Sequence, residues 1–164
     1  MKSTFVFAAG ILFTLFLSGC LPDNSCDVKP NLNVDEAQLQ ADIDAIESYL
    51  SENNIDAEVD PSGIRYVIHN PGDGKSPSLC KTVAVTYEGR LMSNGNVFDG
   101  TDSSVAFGLN RLITGWQVGI PLLEEGGSIT LYIPSVYGYG SRGSGNAIPP
   151  NANLIFDIEL KTVL

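Results

Sequence analysis

A chain of 164 residues holds one core of ordinary size with short flanking segments and leaves no room for a second full domain. Nineteen Asp and Glu against nine Lys and Arg give a net charge of -10 with no basic cluster, which disfavours nucleic acid or an anionic lipid surface as a partner. The single histidine, His69, stands far from Cys26 and Cys80, and with no short-spaced ligand pair the chain argues against a metal site.

Met1 and Lys2 precede an uncharged apolar run from Phe5 to Leu17, the pattern of a secretory signal peptide over residues 1–19. A membrane span needs roughly 20 apolar residues, more than this run supplies. Leu17-Ser18-Gly19-Cys20 resembles a bacterial lipobox, which implies cleavage before Cys20 and acylation of its thiol. Two or more acyl chains anchor stably where one binds marginally, so the expectation is a lipid-anchored protein of the bacterial cell envelope. Leu21 after that cysteine does not resemble the Asp-based signal for inner-membrane retention, which favours the outer membrane. Residues 20–32, rich in Pro, Asn and Asp without apolar period, read as a tether. In an oxidising compartment Cys26 and Cys80 either pair or remain two thiols, and the sequence leaves both open.

Over residues 33–60 the pattern turns helical. Leu39, Ile43, Ile46 and Leu50 fall at spacings of four, three and four, Asn33 with Glu36 suggests a capping box, and Asn53-Asn54 a stop. The stripe is too short for an independent coiled coil; the helix packs on its own domain or forms a dimer seam, hence a monomer or weak dimer. Alternation then predicts strands at Gly63 to His69, Val83 to Tyr87 and Ser128 to Ile133, and an apolar run a fourth at Leu154 to Leu160. His69 is expected to face solvent. Leu112 to Leu123 carries helical spacing closed by Gly126-Gly127, and Ser135 to Asn153 is a long loop dense in Gly, Ser, Asn and Pro, of the kind that carries function. The class is α+β: a curved antiparallel sheet wrapped around one short helix, preceded by an N-terminal helix.

Gly74-Lys75-Ser76 ends like a phosphate-binding loop, but His69 stands where its first glycine is required, and no Gly-x-Ser-x-Gly appears. Neither nucleotide binding nor hydrolase chemistry has a candidate.

From Pro71-Gly72-Asp73-Gly74 onward the order of motifs resembles the FKBP family of prolyl isomerases. These are Val85-Thr86-Tyr87-Glu88-Gly89, Val97-Phe98-Asp99, Ile113-Thr114-Gly115-Trp116, Tyr137-Gly138-Tyr139-Gly140, Ala147-Ile148-Pro149-Pro150 and Leu154 to Leu160. The resemblance covers residues 61–164 and implies a peptidyl-prolyl cis-trans isomerase that uses no cofactor. It implies proline-containing polypeptides as partners, and macrolides such as tacrolimus or rapamycin as ligands.

Turning an X-Pro bond means crossing a barrier of roughly 18–20 kcal/mol that is largely lost amide resonance, so no nucleophile is required. A dry pocket that disfavours the charge-separated planar amide suffices. The resemblance places Tyr87, Phe98, Val105, Trp116 and Phe156 around that pocket, with Trp116 as floor and Leu112 beside it. It gives the Tyr139 hydroxyl and the Ile113 backbone N–H to substrate carbonyls, and sets Asp99 at the edge, accepting from the Tyr87 hydroxyl. Ala147 and Ile148 would contact substrate from the long loop; the alternative for Ile148 is a rigid loop anchor. The segment from Phe98 to Phe107 is read as a shortened loop, and Val105, Ala147 and Ser144 depart from the residues frequent in the family. The functional expectation is an isomerase assisting exported proteins to fold, its rival an envelope chaperone or binding module using the same pocket with little isomerase activity.

Overall fold

The structure, a computed structural model, describes residues 26–164; the expected signal peptide and the expected lipidation site Cys20 lie outside the described residues. Helix α1 (Glu36–Glu52) starts two residues later than the capping box suggests. Asp35 is the N-cap, its carboxylate accepting from the backbone N–H groups of Ala37 at 2.9 Å and Gln38 at 3.1 Å. Asn33 instead donates its own N–H to the Asn31 side chain. Two cap-forming residues compete here, and the carboxylate adjoining the first turn also faces the positive end of the helix dipole.

The strands are β1 (Glu58–Val59), β2 (Arg65–Asn70), β3 (Thr82–Leu91), β4 (Val97–Gly108), β5 (Ser128–Ile133) and β6 (Leu154–Val163), with α2 (Thr114–Gly119) between β4 and β5. They form one sheet in the order β1-β2-β5-β6-β3-β4, antiparallel throughout. Two strands were not foreseen. Strand β1 has two exposed residues and no pattern to read. Strand β4 replaces the expected loop from Phe98: it is an edge strand with a mostly exposed, polar face, so its sequence lacks the apolar alternation of a half-buried strand. Between the pairs Val85–Val105 and Tyr87–Thr101, residues Asp102, Ser103 and Ser104 stand opposite Thr86 alone, a bulge that kinks the edge and resets its register.

Successive residues of a strand point to opposite faces, and both faces of the central strands are covered. On one, Trp116 and Ile120 near α2 join Leu131, Ile133, Leu154 and Phe156 in the main core. A Cβ at Gly115 would collide with Ile133, and one at Gly119 with Leu131, so these glycines let the short helix sit directly on β5. On the other face Tyr132 and Ile155 pack with Ile46 and Leu50 of α1. Every residue from Ile129 to Ile133 is therefore buried, where alternation alone predicted only the odd positions. Two of the four stripe residues of α1, Ile46 and Leu50, pack on the chain's own sheet, and Glu47 pairs with Arg65 beside them.

Cys26 and Cys80 are disulfide-bonded, their Cα atoms 5.7 Å apart across a sequence separation of 54. The expected tether is thus fixed to the domain at Cys26. On the chain-entropy account a loop of that size contributes about 4 kcal/mol. Among the described residues no helix is long and apolar enough to cross a membrane.

Candidate active site

A cavity of about 140 Å³ opens between α2 and the strands, lined by Tyr87 of β3, Asp99 and Phe107 of β4, Leu112, Ile113 and Trp116 at the start of α2, Tyr139 of the long loop and Phe156 of β6. An apolar cavity of about 150 Å³ holds benzene, so this one suits a single small ring. Trp116 is 4% exposed and forms the floor. Three rings stand nearly perpendicular to its indole: Tyr87 at 5.1 Å and 83°, Phe156 at 5.2 Å and 89°, and Phe107 at 6.3 Å and 86°. Edge-to-face contacts of this kind hold aromatic walls in place beyond what area burial does. The Trp116 Nε1 is buried with no hydrogen-bond partner among the described residues.

The rim is polar. The Tyr87 hydroxyl donates to Asp99 Oδ2 at 2.8 Å, while Asp99 Oδ1 accepts from the Gly100 N–H at 2.9 Å. Burial, then the bond to Asp99, pushes the Tyr87 pKa up to about 12. Tyr139 is 38% exposed, and burial followed by the Asp99 charge raises its pKa as well. Both phenols are neutral donors at ordinary pH. The Ile113 carbonyl accepts from Trp116 and Gln117, whereas its N–H meets no acceptor among the described residues.

Of the residues implicated by resemblance, Tyr87, Asp99, Leu112, Ile113, Trp116, Tyr139 and Phe156 come together here, and four do not line the cavity. Phe98 backs Phe156, ring centres 5.5 Å apart, and faces an adjoining groove with Asp99. Val105 pairs with Val85 short of the cavity, and Phe107, two residues on and on the same face, supplies the wall in its place. Phe107 was missed because the bulge at 102–104 hides the register; its aromatic ring at an in-phase position was the only signal. Ala147 is exposed, while Ile148 is 6% exposed and packs into the main core, its backbone forming a small antiparallel bridge with Ser144. An apolar side chain on an otherwise polar loop gains more by burial than by pointing outward, so Ile148 takes the place of the loop anchor.

A larger depression of about 350 Å³ lies on the outer face of the sheet around His69, Glu88, Asp157 and Glu159. It is open and charged, and lacks the aromatic enclosure. His69 is exposed there, as expected, its Nε2 2.8 Å from Thr130 Oγ1. Among the described residues no group of three His, Cys, Asp or Glu could hold a metal ion.

Residues 74–161 match the FKBP_C family, described as FKBP-type peptidyl-prolyl cis-trans isomerase. The chain belongs to the FKBP family. Among this FKBP chain's relatives is the probable FKBP-type peptidyl-prolyl cis-trans isomerase FkpA of Neisseria meningitidis serogroup B, 41% identical over 76% of this chain and 47% of that protein. FK506-binding protein 1 of Candida glabrata is 41% identical over 65% of this chain and 98% of its own length. The crystal structure of a peptidyl-prolyl cis-trans isomerase from Pseudomonas syringae pv. tomato superposes with a TM-score of 0.66 at 30% identity, covering 85% of this chain and 98% of that one. This FKBP chain spans about half the length of the Neisseria protein and of a Haemophilus influenzae relative, 47% and 46%.

Proposed function

We propose that the protein is a peptidyl-prolyl cis-trans isomerase that assists exported proteins to fold. It works from the bacterial cell envelope, held at its outer membrane by lipid on Cys20. The observation that carries this reading is an aromatic-walled, Trp116-floored cavity the size of one ring with neutral donors and a carboxylate at its rim. The proline ring enters between Tyr87, Phe107 and Phe156. The Tyr139 hydroxyl and the Ile113 N–H donate to substrate carbonyls on either side, and Asp99, steadied by Tyr87, faces the carbonyl before the proline.

A thousandfold acceleration requires about 4 kcal/mol. Two ordinary hydrogen bonds at about 1 kcal/mol each fall short of it. The balance comes from the pocket, which strips water from the planar, charge-separated amide and leaves the twisted form favoured. Membership of the FKBP family and relatives that bear the isomerase name support the reading, and macrolides such as tacrolimus or rapamycin are proposed as competitors for the same cavity.

The test is the cis-trans rate of a short Leu-Pro peptide with the wild-type chain, Asp99→Leu and Tyr139→Phe. Acceleration that falls in both variants supports the isomerase. A folded wild-type chain giving only the uncatalysed rate sinks it and leaves the binding module.

A further inference from the structure

The long loop that carries Tyr139 leaves β5 after Ile133 and rejoins the sheet at Leu154. Its two ends, Ser135 and Asn153, meet beneath α1, where the Asn153 side-chain oxygen accepts from the Ser135 N–H at 2.9 Å. Into this neck α1 inserts Asp42, a carboxylate only 3% exposed. Its Oδ2 accepts from the Ser135 hydroxyl at 2.6 Å and from the Val136 N–H at 3.4 Å, and its Oδ1 from Gln38 Nε2 at 2.8 Å. The Asp42 backbone carbonyl accepts from Asn153 Nδ2 at 3.4 Å. One helical residue thereby holds both ends of the loop.

Docking α1 does not by itself call for this carboxylate. Ile46 and Leu50 already seat the helix through apolar contact, and a buried charge is costly unless its lone pairs are met. What the carboxylate adds is directional: it fixes Ser135, itself 0% exposed, and Val136. From there a tight turn, with Tyr137 N–H bonded to Pro134 O and Gly138 N–H to Ser135 O, leads straight to Tyr139 at the cavity rim.

We propose that Asp42 is a positioning residue for prolyl isomerisation: it clasps the neck of the 134–153 loop and so sets where the Tyr139 hydroxyl stands. The inference rests on the isomerase reading, and makes α1, which lies outside the 74–161 family match, part of the working unit.

The test measures kcat and KM for a Leu-Pro peptide with the full chain carrying Asp42→Ala, Asp42→Asn or Ser135→Ala, each in the wild-type and the Tyr139→Phe background. Asp42→Ala and Ser135→Ala should lower kcat/KM about tenfold in the wild-type background, as small misplacements of a substrate-orienting group do. Neither should lower it further once the Tyr139 hydroxyl is gone. Asp42→Asn should restore most of the rate, because its carbonyl oxygen still accepts from Ser135 and Val136. Full activity in both alanine variants, or the same loss with and without the Tyr139 hydroxyl, overturns the proposal. Ser135→Ala, which removes one oxygen, answers if Asp42→Ala does not fold. If the wild-type chain itself gives only the uncatalysed rate, the isomerase reading fails separately. Amide hydrogen exchange over Val136 to Tyr139 then decides whether Asp42 holds the loop: faster exchange in the variants supports the clasp, unchanged exchange refutes it.

Discussion

Tyr87 joins the two halves of the pocket, its ring against Trp116 and its hydroxyl on Asp99. Its pKa rises from 10.0 to about 12, so the folded protein holds this proton more tightly than the unfolded chain. The stability linked to it is complete below pH 10 and lost as pH climbs through 12. Thermal melts from pH 9 to 12 should show a decline that Tyr87→Phe makes shallower; an identical decline in the variant would refute the assignment. Phe107 lends itself to a second test. Phe107→Ala removes a wall of the cavity and should weaken peptide binding about tenfold or more, read by titrating the Trp116 fluorescence. The cavity-lining residues Tyr87, Asp99, Trp116, Tyr139 and Phe156 were legible because each sits in a spaced motif. Phe107 and the inward turn of Ile148 were not, since both depend on register and loop closure that no local pattern encodes.

Of the elements with buried apolar faces, β2, β3, β5 and both helices could be read from period, and β6 from its continuous apolar run. Strand β4 could not, because an edge strand with a solvent face writes a polar sequence, and the cap of α1 could not, because Asn33 and Asp35 are equally plausible by type. The role of α1 shows most clearly through Ile46, fully buried between the helix and Tyr132 and Ile155. Ile46→Ala should cost about 2–5 kcal/mol in a denaturant titration. An effect near zero would mean that the helix rests on the sheet without supporting it. The disulfide acts on a different state of the chain. Reducing Cys26–Cys80, or replacing both residues by alanine, should lower the unfolding free energy by about 4 kcal/mol. The peptide isomerisation rate of the folded protein should stay the same, because neither cysteine lines the cavity.

The molecule as a whole carries a net charge of -10, with Asp99 lining the cavity and Glu88 and Asp102 on the adjoining groove. A field of that sign gathers cationic chains and repels anionic ones. At low ionic strength kcat/KM should be higher for a Leu-Pro peptide flanked by Lys than for one flanked by Glu. The gap should close as salt shortens the screening length from about 30 Å to about 3 Å. Equal values at low salt would mean that the field plays no part in substrate capture.

On the proposed lipid anchor, the covalent link at Cys26 would also decide how far the domain can travel. With Cys20 as the proposed lipidated residue, six Cα-to-Cα steps would separate it from the bonded cysteine, a reach of about 20 Å when fully extended. Opening the bond would move the first fixed point of the chain to the start of α1 at Glu36, and the reach would grow to about 55 Å. The oxidised protein would patrol a thin shell over the membrane, meeting chains as they emerge from it. The reduced protein would sweep a much deeper volume at lower local concentration.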